Sequence, residues 1–265
     1  MRAFNYHRPS SLKDAAALAA KQAEAKYLAG GQSLVQAMKL RLSAPSDLVD
    51  LNAIGDLKAL KADGSGVTIG AMVRHAEVAA SSAVQKAIPA LAALAGTIGD
   101  RQVRHMGTIG GSLANNDPAA DYPAAVLGLG ATIVTNAGKH EADKFFKGLF
   151  ETALKPNEII TQVVFPVPKR AAYMKFKNPA SRFAIVGVFV ADFGGNVRVA
   201  VTGAGPCAFR QADMEKALAA KFAPESVANI KVKADGLNND LHASPEYRAH
   251  LVTVMAKRAV EAALK

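Results

Sequence analysis

The chain of 265 residues holds one cysteine and no tryptophan. Its lone thiol, Cys207, cannot form an intrachain disulfide. Nor can it supply the four thiolates of an iron–sulfur cluster or a Cys₄ zinc site. It follows a Gly-Ala-Gly-Pro turn and reads as a buried structural thiol. Five tyrosines and no tryptophan make a poor base-stacking platform. Helix-turn-helix, zinc-finger and RNP patterns are missing as well, so nucleic-acid binding is not expected despite a formal net charge of +10. No apolar run reaches the ~18 residues of a membrane span. The Met1–His7 segment lacks a continuous apolar signal stretch, so the expected location is the cytoplasm. The common nucleotide fingerprints, G-x-G-x-x-G after the first strand and G-x-x-x-x-G-K-[ST], are also missing.

What is present suits a globular chain with a sizeable core: 50% hydrophobic and 20% charged residues. The positive charge is uneven. Residues 1–165 carry 17 basic and 14 acidic side chains, and residues 166–265 carry 15 and 8. Such an excess suits an anionic cofactor or a less basic partner.

Two glycine-bearing turns stand out. One is Ala29-Gly30-Gly31-Gln32-Ser33-Leu34; the other runs from Gly107 through Thr108-Ile109-Gly110-Gly111-Ser112 to Asn115 and Asp121. Glycine permits positive φ and close approach of backbone to a ligand. Consecutive N–H groups in such turns hold anions, and the Ser33, Thr108 and Ser112 hydroxyls add donors. Two turns of this kind suit a pyrophosphate gripped from both sides.

These stretches, with "TIGAMVRHAEV", "IGDRQVRHMGTIGGSLANNDPAADYPA" and "FKNPASRFAIVGV", resemble the FAD-binding subunits of the molybdenum hydroxylases. That group includes the carbon monoxide dehydrogenase medium subunit and the xanthine dehydrogenase flavin domain. The resemblance runs from near Phe4 to the C-terminus. One departure is Gln32, where many relatives carry histidine; both side chains form hydrogen bonds.

Strands and helices mix without strict βαβ alternation, which argues α+β. The resemblance implies a two-lobed PCMH-type FAD-binding domain, with lobes at 1–55 and 56–165. A small α+β C-terminal domain with an antiparallel sheet would follow at 170–265. A helix is expected from Ser11 to about Ala25, opened by a Ser11–Asp14 capping pair. A strand at 26–29 would deliver the first turn, and a helix at 33–42 would point its N-terminus at the bound anion. Further strands are expected at 47–51, 67–71, 131–135 and 158–165, and helices at 76–95 (broken near Pro89) and 122–129. Gly96–Asp121 is too rich in Gly, Asn and Pro to read as regular structure. Residues 165–168 read as a linker. Residues 185–193 and 197–201 form a hairpin across Gly194-Gly195-Asn196. Helices follow at 213–221 and from Ser244 onward, the last with Tyr247, Leu251, Val254 and Met255 on one face.

By resemblance, Ala29, Gly30, Gly31, Gln32 and Ser33 line the pyrophosphate on one side, and Thr108, Ile109, Gly110, Gly111 and Ser112 on the other. Asp121 meets the hydroxyls of the flavin's sugar-like chain; as a plain sequence feature it caps the helix at Tyr122. Asn115 and Leu34 lie beside the cofactor. Ile98 and Ile160 sandwich the adenine; by themselves both read as core residues. Lys177 sits near the flavin ring, where a cation favours its reduced anionic form; by itself it reads as a solvated lysine in a basic stretch. Arg104 and His105 add to the anion site. No catalytic acid, base, nucleophile or metal ligand is expected, because the cofactor carries the electron chemistry. The molybdenum cofactor and [2Fe-2S] clusters would sit on a large and a small partner chain, in a dimer of heterotrimers. A stand-alone flavin oxidoreductase of the same fold is the rival enzyme reading, and a basic RNA-binding module the non-enzyme one.

Overall fold

The computed structural model describes residues 1–64 and 66–265. Its elements belong to four sheets and a set of mostly short helices.

The first sheet has three parallel strands in the order Asn5–His7, Asp47–Asp50, Lys26–Leu28. Parallel pairing requires crossovers. The helix Leu12–Ala20 provides one, and Leu34–Lys39 the other. The first opens as expected, with Asp14 N–H donating to the Ser11 hydroxyl, but stops five residues short of Ala25. The central strand is buried along its length, so its two acids need partners. Asp47 pairs with His7 at 2.7 Å. Asp50 accepts from the Tyr6 hydroxyl and the Asn52 backbone N–H. A parallel sheet in this lobe was not apparent in the sequence, because the strands are only three or four residues long.

The second sheet is antiparallel and runs Leu60–Asp63, Gly66–Gly70, Ile160–Phe165, Thr132–Thr135, Lys139–Glu141. The Ala-rich stretch becomes three helices, His75–Ala80, Ser82–Ala87 and Pro89–Gly96. Ser81 caps the second, and Pro89 occupies the first position of the third, where a missing N–H costs nothing.

The third sheet is antiparallel, in the order Arg170–Lys177, Ala184–Asp192, Val197–Thr202, Phe209–Arg210. All nine residues of Ala184–Asp192 are buried, because both faces are covered. Phe189 and Ala191 join the core around the helix Tyr122–Leu129. Val186, Val188 and Val190 pack in a second core with Leu251, Val252 and Met255 of the helix Pro245–Ala263. On that helix Tyr247 is exposed instead of facing inward, and Arg248 is buried. No helix among the described residues is long and apolar enough to cross a membrane.

Candidate functional site: two glycine turns in contact

The segment expected to be irregular contains two helices, Arg101–Met106 and Ile109–Asn115. Asp100 caps the first through Val103 N–H at 2.8 Å. Thr108 caps the second through Gly111 N–H at 3.2 Å. Two glycines inside a helix cost roughly 1 kcal/mol each against alanine. Packing explains why they stand there. A Cβ on Gly110 would lie 2.6 Å from the Ala71 Cβ, and one on Gly111 would lie 3.4 Å from the Ala29 Cβ.

The first turn reaches the second directly. A Cβ on Gly30 would lie 2.7 Å from the Gly107 Cα and closer still to the Met106 carbonyl oxygen. Backbone meets backbone here, and only glycine fits. Gly31 has φ +72° and leaves the turn in the left-handed region. Gly111 has no positive φ; its constraint is proximity alone. Asn52 anchors the first turn from behind, donating to the Ala29 carbonyl at 3.1 Å.

The two turns differ in what they can offer a ligand. The N–H groups of the second are already used: Ile109 to Val73 O, Gly110 to Ala71 O, Gly111 to the Thr108 hydroxyl, Ser112 to Thr108 O. Its remaining donors are hydroxyls, chiefly that of Ser112. Among the described residues, the N–H groups of Gly30, Gly31, Gln32 and Ser33 find no partner in the chain. The backbone donors for an anion therefore belong to the first turn. The helix behind it spans only Leu34–Lys39.

A second group lies where the third sheet meets the second lobe. Asp121 is buried and caps no helix through its side chain. It accepts instead from the Tyr173 hydroxyl at 2.5 Å and from Lys175 Nζ at 3.0 Å. Burial pushes its carboxyl up, and the Lys175 charge and the Tyr173 bond pull it back. Lys175 also donates to Thr97 O and Arg182 O. Arg104 donates to Ile98 O and Gly99 O, and Arg182 to Gly99 O at 3.4 Å. Three cations thus fix the 97–99 segment and aim half-buried Ile98. Arg104 is committed to these carbonyls and is not a free anion ligand.

Lys177 is exposed at the end of its strand, past a register shift between Phe176 and Lys177, where its backbone pairs with Ala184; among the described residues its ammonium has no hydrogen-bond or ion-pair partner. Lys175, two residues earlier, holds the buried position beside Asp121. Sequence reasoning missed Lys175 and Tyr173 because their strand directly follows the Pro-Val-Pro stretch. Once a strand is recognised, the two-residue period places both on one face. Of the other expected residues, Leu34, Gln32, Ser112 and Asn115 are half-buried and Ser33 exposed, while Ile109 is wholly buried. Ile160 is buried in a strand tied to Gly110 through Ala71, whose N–H donates to Thr161 O.

His75 is buried. Its backbone N–H donates to Gly107 O, and a Cβ on Gly107 would lie 2.6 Å from its Nε2. Nδ1 has no partner, and the ring lies 5.3 Å from that of Tyr122. Burial, then the nearby Arg104 charge, lowers its pKa from 6.5 to about 4. Below pH 6.5 the unfolded chain takes up a proton that the folded chain refuses until about pH 4. Stability therefore falls across that window, by about 3 kcal/mol from this group. Urea unfolding of the wild type and His75→Gln from pH 7 to pH 4 checks this: the wild type should lose about 3 kcal/mol more than the variant. Equal losses would refute it.

The Asp121 group predicts a contrast between neighbouring lysines. Lys175→Met strands a buried carboxylate and should cost about 3–5 kcal/mol. Lys177→Met should change stability by less than about 0.5 kcal/mol. Thermal unfolding of the two variants decides between them.

Comparison with known proteins gives the family and the fold. The family model described as "FAD binding domain in molybdopterin dehydrogenase" matches residues 2–168. The carbon monoxide dehydrogenase medium chain of Hydrogenophaga pseudoflava is 35% identical, over 98% of this chain and 96% of that one. The glyceraldehyde dehydrogenase medium chain of Sulfolobus acidocaldarius is 33% identical, over 97% and 96%. A solved structure of carbon monoxide dehydrogenase from Hydrogenophaga pseudoflava superposes with a TM-score of 0.87 at 34% identity, covering 99% of this chain and 98% of that one. With two glycine turns in backbone contact and an α+β fold shared along its length, the chain belongs to the FAD-binding family of the molybdopterin dehydrogenases.

Proposed function

We propose that this chain is the flavin subunit of a multi-subunit molybdenum hydroxylase, passing electrons from iron–sulfur clusters on a partner chain through FAD to an external acceptor. The observation that carries the reading is the contact of Gly30 with Met106 and Gly107. It joins a turn with four unpaired N–H groups to a turn with free hydroxyls, and that donor set fits a pyrophosphate.

In this reading Ala29–Ser33 supply the N–H donors, and Thr108–Ser112 form the opposite wall with the Ser112 hydroxyl. Asp121 faces the hydroxyls of the sugar-like chain, with Tyr173 and Lys175 setting its orientation. Lys177, exposed at the end of the same strand, is the cation placed beside the flavin ring. Ile98 and Ile160 flank the adenine, and Leu34 and Asn115 lie at the edge. Bound FAD supplies the electron chemistry; the chain binds it, orients it and shapes its electrostatics.

Two inputs are assigned to other chains. One cysteine cannot ligate a cluster, so iron–sulfur centres belong to a small partner. Substrate oxidation belongs to a large molybdenum-binding partner, in a dimer of heterotrimers. Relatives of nearly equal similarity are named for carbon monoxide and for glyceraldehyde, which supports placing substrate choice outside this chain. The basic excess after residue 165 suits docking to a less basic partner.

The first test is FAD content. The purified chain should carry one noncovalent FAD, released by acid. Gly30→Ala should lower FAD affinity well over tenfold, about 1.4 kcal/mol or more, because it drives the two turns apart. Gly111→Ala, with a looser contact, should lose less. Wild-type affinity in a folded Gly30→Ala variant would end the two-turn clamp. The second test is the relay. With both partner chains, substrate should reduce the flavin, and omitting the iron–sulfur chain should abolish this. Rapid flavin reduction by an organic substrate with this chain alone would favour a stand-alone flavin oxidoreductase.

A further inference from the structure

The unpaired N–H groups of the first glycine turn serve an anion only if they point at it. The contact between the turns does not set that direction. It constrains the Gly30 Cα, where a side chain would clash, but not the plane of the peptide between Ala29 and Gly30. Glycine tolerates rotation of that plane at little cost. The peptide is planar and trans, so its carbonyl and its N–H point opposite ways. Whatever holds the Ala29 carbonyl therefore aims the Gly30 N–H.

Asn52 holds it. Its Nδ2 donates to Ala29 O at 3.1 Å, and among the described residues no second donor meets that oxygen. The other amide hydrogen goes to Asp50 Oδ1 at 2.7 Å, and the Asn52 backbone N–H donates to the same oxygen at 2.9 Å. Asp50 thus removes the rotational freedom of the amide that holds the turn. Local structure explains the pairing: Asp50 is the N-cap of the short 3₁₀ helix Leu51–Ala53, and Asn52 is its middle residue. Asp50 is buried at the end of the central strand, in register with Leu28, the residue before Ala29.

The second carboxylate oxygen of Asp50 is held from the other side. The Tyr6 hydroxyl donates to Oδ2, and Arg8 Nε lies 3.9 Å from it. Burial raises the Asp50 carboxyl, but the Tyr6 and Asn52 bonds outweigh burial and keep it below the ordinary carboxylate value. It stays an acceptor at neutral pH. One other carbonyl of the turn is held differently. Gly31 O accepts from Val35 N–H at 3.1 Å, so the helix itself orients the Gln32 N–H. The Gly30 N–H has no such helical bond behind it and relies on Asn52.

We infer that Asn52 and Asp50 are positioning residues for the pyrophosphate: Asp50 fixes the Asn52 amide, and the amide turns the Gly30 N–H toward the anion. The inference rests on the flavin-subunit reading above. Both side chains act through the Ala29 carbonyl and not by touching the cofactor.

Asn52→Asp keeps the size and shape of the side chain and removes both amide hydrogens. In a flavin-fluorescence titration of the full-length chain, it should lower FAD affinity about tenfold or more. Asp50→Ala frees the amide and should also weaken binding, and Asp50→Asn, which keeps an acceptor oxygen, should recover most of that loss. A direct readout uses the chain labelled with [15N]glycine, in which the Gly30 amide signal is the one missing from Gly30→Ala. FAD should move that signal downfield in the wild type. In FAD-free Asn52→Asp the signal should already be displaced, which a loss of stability alone would not cause in the folded chain. Wild-type FAD affinity in a folded Asn52→Asp or Asp50→Ala chain overturns the positioning role. So does a wild-type Gly30 signal that ignores saturating FAD, a result that needs no variant to fold. A wild-type chain that takes up no FAD overturns the flavin reading and this inference with it.

Discussion

The approach of Gly30 to Met106 and Gly107 is the contact on which the site depends. It joins two turns that flank separate buried clusters: one holds Val49, Leu51 and Leu57, the other Ile69, Leu91 and Tyr122. Both partners are positioned from outside the contact. Asn52 holds the first turn through Ala29 O. His75 and Val73 hold the second, through Gly107 O and Ile109 N–H. A side chain at residue 30 would separate the turns whatever else stayed intact, because the listener on the other side is backbone, which cannot rotate away.

The third sheet is fastened to this pair by electrostatics as well as packing. Asp121, Tyr173 and Lys175 form a buried group across the boundary, and Lys175 extends it to Thr97 O. Buried ion pairs give little net stability, since desolvation offsets attraction, but losing one partner is costly. Their value here is geometric. A carboxylate with a donor on each oxygen holds one orientation, and the 97–99 segment is tied to the same lysine. Apolar packing from Phe189 onto the helix Tyr122–Leu129 supplies the bulk of the attachment.

The sequence was most legible where one local signal dominated. The helix 122–129 ends where Gly130 takes φ +61°, and the apolar run 184–192 pairs across Gly194-Gly195 as its turn chemistry demands. Both glycine turns were identified, but not their contact, which joins residues about 77 apart and rests on a missing side chain. The helix 109–115 was hidden by its own propensity: glycine at 110 and 111 argues against a helix until Ala71 and Ala29 are seen pressing on it. The inward placement of Tyr173 and Lys175 went unread because their strand directly follows a Pro-Val-Pro stretch and carries no alternating apolar signal of its own. A cavity beyond Asp117 had no signature at all, since its lining comes from six separate stretches of chain.

In an FAD-binding subunit of this family the cofactor carries the redox chemistry, and the buried titratable side chains of this chain hold shape. His75 is kept neutral against a glycine, Asp121 is locked by a lysine and a tyrosine, and Arg248 is consumed by two carbonyls and an acid. Each of these groups is held by partners inside the fold, so the shape around the glycine turns and the third sheet depends on fixed contacts and not on a change of protonation.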